Sequence, residues 1–528
     1  MARKINGRWH ANQLTLPFPS DCQVSSMPRL PRFTIACLLS LSTLMSAPAH
    51  AEPAKCRYSL LSKLPLQYYG TGMSVTMPGK INDTSAVMLI DTGATNTFLT
   101  RFATDKRALR REPTMRYVTG VGGSTRLFVA PIKNMELGPI RAPDGGSLPV
   151  IDQTGERFTI DAIIGSDFLL DMDVELSLAE KQIRFFSPKD CDTAFLAYWN
   201  PAAVDVPMKF ERDHRRPMLD VMLNGVKMRA LIDTGAGLSG VTMAGAKRAG
   251  LAPGSPGVTE GHTIGGIGQH LVKVYRATFK TFSVGDETIS NAVIQILGTE
   301  SDTFDIVLGT DFLRAHRVLF APSQMKIYLS YIEGTAPFND GRSAAWIEQE
   351  AETGNTYAQF NVAMGLMKDQ SEASRTRAVA LLSKSVAGGN PIALHYMARQ
   401  ASHEGRHADS VALYERLVAI DAFDLTTQME LFVARAHAGQ LDAAKTALAG
   451  QMARFRWAPW PASITKYYLG TMPLDEVLRE AASEKEEATR RRCEVYWHAG
   501  DLQQALGQTE QAAQMKSRSA AECPAKLG

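Results

Sequence analysis

Two apolar runs of strand type break off at the same four residues. Val87-Met88-Leu89-Ile90 runs into Asp91-Thr92-Gly93-Ala94, and Met228-Arg229-Ala230-Leu231-Ile232 runs into Asp233-Thr234-Gly235-Ala236. Each resumes as a short mixed strand, through Leu99 and Val241 respectively. Downstream, Thr119-Gly120-Val121-Gly122-Gly123-Ser124 is answered by Ile264-Gly265-Gly266-Ile267-Gly268-Gln269. Further on, Ile163-Ile164-Gly165-Ser166-Asp167-Phe168-Leu169 is answered by Val307-Leu308-Gly309-Thr310-Asp311-Phe312-Leu313. Asp91 to Gly165 is 74 positions and Asp233 to Gly309 is 76. Three paired motifs in one order imply a lobe that was duplicated and fused.

The texture around these motifs alternates apolar and polar residues over short stretches. Turn signals stand at Pro78-Gly79, Asn82-Asp83, Gly122-Gly123 and Asp144-Gly145-Gly146. That pattern predicts two all-β lobes, residues 66–188 and 204–331, built as small barrels or sandwiches. A short segment, 52–65, precedes them, and connectors rich in small residues occupy 189–203 and 332–343.

From Ala344 the pattern changes to Ala, Leu, Glu, Arg and Gln at helical spacing. His403-Glu404-Gly405, His437-Ala438-Gly439 and His498-Ala499-Gly500 read as recurring turns, and Gly405 to Gly439 is 34 positions, the tetratricopeptide period. Ala408, Ala444 and Ala505 follow these glycines and predict close helix packing. Residues 344–525 are thus expected to form a tetratricopeptide-like array, with Ala351–Ala387 another helix pair. The three histidines share one repeat position, which assigns them to structure rather than to ligation. The aromatic cluster Phe455, Trp457 and Trp460 reads as core or cap. Overall the pattern predicts a multidomain β + α chain: two lobes making one pseudo-dimeric unit, then helices.

The amino terminus reads as an export signal over residues 1–51. Arg29 and Arg32 precede the apolar stretch Phe33–Met45, and Ala47-Pro48-Ala49-His50-Ala51 is a small-residue cleavage pattern. The stretch is too short for a permanent membrane span, and counted from Met27 the leader has an ordinary length. The 528 residues carry 57 basic and 54 acidic side chains. Residues 1–51 hold five of the basic and one of the acidic, so 52 and 53 remain. A mature chain near neutrality offers no electrostatic footprint for nucleic acid. Cys56, Cys191, Cys493 and Cys523 follow the leader. An even count in an exported chain predicts disulfides: Cys56–Cys191 flanking the first lobe and Cys493–Cys523 flanking the last helix pair, with its turn at Gly500. No cysteine or histidine spacing suits a metal, and no cofactor is expected.

Chemistry enters with the repeated Asp-Thr-Gly. Asp supplies a carboxylate, Thr can bond across to neighbouring backbone, and Gly lets backbone pack close to the acid. One such loop is a polar turn. Two facing loops put two carboxylates around one site, where like charges force them to share a proton. The ionised member can act as base on a water while the protonated member polarises a carbonyl.

With Ala after each Gly, the two loops resemble the active-site loops of retropepsin-type aspartic proteases. Ile264-Gly265-Gly266-Ile267-Gly268 resembles their flap tip, and the Ile-Ile-Gly165 and Val-Leu-Gly309 motifs resemble the strand behind each loop. The likeness covers residues 66–331, and exported bacterial members carrying helical repeats are the nearest kind. It implies that Asp91 and Asp233 are the catalytic dyad, that Thr92 and Thr234 lock the loops, and that Gly93, Ala94, Gly235 and Ala236 shape them. It also implies flaps built on Gly120, Gly122, Gly123, Ile264, Gly265, Gly266, Ile267 and Gly268, closing over an extended peptide. The first flap lacks the Ile-Gly-Gly-Ile order, so the flaps are expected to be asymmetric. The expectation is an exported, periplasmic or secreted aspartic endopeptidase, monomeric in its catalytic unit. Its substrate is a peptide or protein, and a protein partner is expected on the helices. Deletion of residues 344–528 is expected to spare cleavage of short peptides. The competing reading is a non-catalytic peptide-binding or scaffold protein with a relic cleft.

Overall fold

The computed structural model describes residues 10–11, 56–138, 140–141, 145–151, 159–211, 214–268, 270–333, 337–338, 345–454, 457, 459–483 and 488–523. The export-signal reading of residues 1–51 therefore lies outside the described residues, apart from the two-residue strand His10–Ala11.

Each lobe is organised by the strand that delivers an Asp-Thr-Gly-Ala loop. In the first lobe Thr84–Ile90 buries its last three residues and runs parallel to Ala162–Ile164, pairing Met88 with Ala162 and Ile90 with Ile164. Ala162–Ile164 then lies antiparallel to Phe98–Thr100, which runs parallel to Gly146–Ile151. The second lobe repeats this. Val226–Ile232 is parallel to Ile306–Leu308, which is antiparallel to Gly240–Thr242, which is parallel to Glu287–Leu297. The three-residue strands are buried throughout, as expected of strands covered on both faces.

One predicted turn is a strand interior. Pro78-Gly79 lies within Ser74–Ile81, and the reversal comes at Asn82-Asp83, both with positive φ. Pro78 pairs with Val87 on one edge. On the other edge, Gln67–Tyr69 ends its pairing at Thr76, and Met135–Leu137 begins at Lys80. The proline thus falls in a gap where no ladder bond is lost. Gly79 is dictated by crowding: a Cβ there would lie 2.6 Å from Met88 Sδ and 2.7 Å from Glu136 O.

A third, six-stranded sheet joins the lobes. Its order is Val204–Pro207, Lys326–Tyr331, His316–Ala321, Asp173–Ser177, Gln182–Lys189, Arg57–Pro65. The seam is antiparallel, with Val174 opposite Phe320 and Ser177 opposite Arg317. On the buried Glu175, Arg317 converges at 2.8 Å, Tyr198 at 2.6 Å and Arg184 also. The Cys56–Cys191 disulfide (Cα–Cα 4.5 Å) ties the outer strand to its neighbour, next to the Arg57–Lys189 pair.

The helical region begins at Ala345. Helices start at Thr356, Pro391, Leu425 and Pro459, intervals of 35, 34 and 34 positions. The second helix of each pair starts at Glu372, His407, Leu441 and Leu474. Asn355, Asn390 and Asp424 cap the first helices with their side chains. Gly405 and Gly439 close turns at φ +74, a conformation that favours glycine.

The last turn differs from the sequence reading. Gly500 lies inside the helix Ala488–Ala505, and the reversal falls at Gly507, with φ +75. Gly500 serves packing instead: a Cβ there would sit 3.5 Å from Met515 Cβ on the following helix, Thr509–Glu522. His498 is accordingly a buried mid-helix residue, whereas His403 and His437 end their helices. Of the three alanines expected at close helix contacts, Ala444 is buried, Ala408 is exposed and Ala505 is half-buried. Cys493 and Cys523 are bonded, with Cα–Cα 5.6 Å. The core is continuous from lobe to helix: one cluster holds Leu66, Val75, Phe312 and Phe338 together with Ala351, Phe360 and Leu382. Phe338, from the second connector, meets Phe282 edge to face with centroids 4.9 Å apart.

Candidate active site

Both loops are held from behind in the same way. Asp91 N donates to Ile164 O and Asp233 N donates to Leu308 O, each at 3.0 Å. Gly165 and Gly309 follow those carbonyls. A Cβ on Gly165 would lie 3.0 Å from Ala94 O, and one on Gly309 would lie 2.7 Å from Ala236 O. Only glycine lets the strand pass so close.

The loops also hold each other. Thr92 N donates to Thr234 Oγ1 (3.0 Å) and Thr234 N donates to Thr92 Oγ1 (3.1 Å). Thr92 Oγ1 donates to Ile232 O (2.7 Å) and Thr234 Oγ1 donates to Ile90 O (2.8 Å). Each hydroxyl thus accepts from the other loop's amide and donates to the carbonyl before the other loop's acid. Both threonines are buried, at 3 % and 1 % exposure, so the lattice is shielded from competing water.

The glycines set the approach of the acids. A Cβ on Gly235 would lie 2.6 Å from Asp91 Cγ, and one on Gly93 would lie 2.5 Å from Asp233 Oδ2. Each carboxyl therefore rests on the other loop's glycine, and the acids face one another. Ala94 N donates to Asp91 Oδ1 (2.8 Å), and Gly235 N and Ala236 N donate to Asp233 Oδ1 (2.8 and 3.2 Å).

Burial pushes both carboxyls up. Asp91 stands well above the usual carboxylate range, because the Asp233 charge and the hydrogen bond between the acids add to burial. Asp233 is raised as well, but the amides of Gly235 and Ala236, the hydrogen bond from Asp91 and the Arg216 cation oppose its burial. Two facing carboxyls, both raised, favour holding one proton between them, and that proton belongs to the pair. Both side chains retain partial exposure toward the cleft, so a substrate or water can reach them.

Two hairpins close over this point: Glu112–Gly120 with Gly123–Ile132, and Thr259–Ile264 with Val272–Val284. Their tips touch. Gly122 N donates to Ile267 O (3.0 Å), and His270 N donates to Gly122 O (2.9 Å). Gly268, at φ +104, passes so near that a Cβ would lie 2.6 Å from Gly123 N. Gly120 lies under Ile267, and Gly266 lies against Val121. Ile264 ends its strand and Gly265 opens the turn. The tips are unlike: Ile267 reaches across to the other lobe's cluster of Leu89, Phe98, Leu127, Ile151, Ile160 and Ile163.

A second carboxylate pair escaped the sequence reading. Asp167 accepts from Thr97 N (3.0 Å) and Thr97 Oγ1 (2.8 Å), and Asp311 accepts from Ser239 N (2.9 Å) and Ser239 Oγ (2.6 Å). Those hydroxyls in turn accept from Gly165 N (3.1 Å) and Gly309 N (2.9 Å). Burial raises both acids. Their place in the repeated Gly-Ser-Asp and Gly-Thr-Asp motifs was the available signal. They brace the exit of each loop.

Residues 77–171 and 219–315 each match the sequence profile of the family described as gag-polyprotein putative aspartyl protease. Among solved structures, an aspartic proteinase from Irpex lacteus aligns over 53% of this chain and 99% of its own, with 13% identity and a TM-score of 0.36. No curated protein sequence matches the chain. One Asp-Thr-Gly-Ala loop falls in each matched segment, so residues 57–331 carry two aspartyl-protease-like lobes in one chain, followed by a helical region.

Proposed function

We propose that the protein is an aspartic endopeptidase, exported to the periplasm or secreted, with Asp91 and Asp233 as its catalytic dyad. The observation that carries this reading is the reciprocal threonine lattice that sets each cleft carboxyl on the other loop's glycine, so that the two acids face one another. A water between them loses a proton to Asp233 as its oxygen adds to the scissile carbonyl carbon, while Asp91 gives its proton to the carbonyl oxygen. The amide nitrogen then takes a proton from Asp233, one hydroxyl of the tetrahedral diol returns its proton to Asp91, and the carbon–nitrogen bond breaks to leave a carboxylic acid and an amine. Thr92 and Thr234 keep the carboxyls in register, and the two hairpins cover an extended peptide bound by strand addition.

The remaining features are compatible with export. Two disulfides stand in the chain, and among the described residues no helix is long and apolar enough to cross a membrane. The catalytic unit is monomeric in this proposal, since both acids come from one chain. The helices, with starts recurring every 34 or 35 positions, form a tetratricopeptide-like array that holds a protein partner or substrate. The test is cleavage of a peptide library by the chain beginning at Glu52, against Asp91→Asn and Asp233→Asn. Loss of cleavage in both variants supports the reading; identical behaviour of all three proteins refutes it.

A further inference from the structure

The first helices after the lobes hold a turn that borders the second acid's loop. The turn Gly70–Met73 reaches from the first lobe to the second lobe's loop: a Cβ on Gly237 would lie 3.4 Å from Gly72 O. Gly237 comes just after Ala236, and both Gly72 and Gly237 are exposed. The same turn is held from outside by the helix Thr356–Leu366. Asn361 Nδ2 donates to Thr71 O (2.8 Å), and Asn355 Nδ2 donates to Tyr68 O (3.0 Å) while its Oδ1 caps the helix. Tyr357 packs against Tyr69 with ring centroids 4.4 Å apart and planes tilted by 48°. Tyr69 in turn packs at the cluster that receives Ile267, beside Ala94 and Val118. On the opposite face of the strand, Tyr68 lies under Trp346 at 4.9 Å, and Arg314 covers Trp346 at 3.5 Å.

Among the described residues of the second lobe, no such latching bond from a helix is made to the corresponding turn. That turn joins Lys209–Phe210 to Pro217–Leu223. It is held by an ion pair inside the lobe, Arg216 to Glu211 at 2.5 Å, and by one across to the first lobe, Arg215 to Asp171. One end of the cleft is thus walled by a helix-braced turn and the other by a charged turn.

We infer that Asn361 and Tyr357 are positioning residues of the cleft: by fixing the turn Gly70–Met73 they shape the peptide-binding subsite on that side of the dyad. The subsite suits an uncharged residue, since its wall is Tyr69, Tyr357 and the Gly72 carbonyl. This rests on the protease reading above. On this inference, and against the expectation from sequence, deleting residues 344–528 lowers cleavage of short peptides as well, because the deletion strips the turn of its support.

The test uses the full chain from Glu52 and its Asn361→Ala and Asn361→Gln variants. A peptide panel varied at one position at a time on both sides of the scissile bond gives KM and kcat. Hydrogen exchange of the Met73 amide, bonded to Gly70 O at 3.1 Å, reports the turn independently of activity. Asn361→Ala is expected to speed that exchange about fivefold, the worth of one hydrogen bond, and to raise KM about as much for peptides varied on one side only. Unchanged kcat and partial rescue by Gln are expected. Wild-type exchange together with wild-type specificity ratios in Asn361→Ala overturns the inference. If the wild type cleaves nothing while the turn still responds, the protease reading falls and with it the subsite, but the latch stands.

Discussion

Thr92→Val isolates the reciprocal threonine lattice, because valine keeps the shape and removes only the hydroxyl. The change deletes the bond to Ile232 O and the acceptor for Thr234 N, leaving two backbone groups unpaired in a site of 3 % and 1 % exposure. Each lost bond contributes about 1 kcal/mol net, and each orphaned buried group adds on the order of 1 kcal/mol or more of uncompensated desolvation. The total is about 4 kcal/mol, a large part of the roughly 5–15 kcal/mol that holds a domain folded. For lobes of this size that lowers the melting temperature by on the order of 10 °C. Thr92→Ser keeps all the bonds and loses one methyl, about 1 kcal/mol. Thermal unfolding followed by near-ultraviolet circular dichroism measures both. A Thr92→Val protein melting within a degree or two of wild type, or no more weakened than Thr92→Ser, would refute the claim that these bonds hold the loops together.

Three further outcomes are expected. Asp91 has its folded-state pKa raised, so the folded chain binds this proton more tightly than the unfolded chain does. The stability it contributes is fully present below the unfolded value near about 3.9 and is lost as pH rises through the raised value. Asp91→Asn is therefore expected to melt higher than wild type at neutral pH and to lose that advantage in acid; a pH-independent difference contradicts the burial argument. Gly235→Ala places a methyl 2.6 Å from Asp91 Cγ at a backbone angle alanine accepts, so activity is expected to fall at least about a hundredfold from displaced geometry while the fold persists by circular dichroism. Replacing Cys56 and Cys191 with serine opens a 135-residue loop, worth about 5 kcal/mol in the chain-entropy account; calorimetry showing no loss would mean that Arg57–Pro65 docks without it.

The paired motifs made the lobes and the acids legible because each residue there answers to a local demand: Asp for charge, Thr for a short-range hydroxyl, Gly for contact. Pro78-Gly79 misled because a proline reads as a turn unless the partner strands are known, and the gap between Gln67–Tyr69 and Met135–Leu137 is a tertiary fact. Gly500 misled for the same reason, since a glycine that admits a neighbouring helix looks in sequence like one that ends a helix. Asn361 gave no signal at all: its role depends on a backbone carbonyl 290 positions away. The seam between Asp173–Ser177 and His316–Ala321 was equally silent, because nothing in an alternating strand names its partner.

That seam has a consequence for biogenesis. Ser177 emerges from the ribosome 140 residues before Arg317, its eventual neighbour. At about 5–20 residues per second the wait lasts on the order of ten seconds or more. Throughout it the nascent first half displays a bare strand margin, open to pairing with any other unfinished chain. A truncated product ending between the halves would keep that margin for good, and its fate would be clumping or degradation rather than half an enzyme.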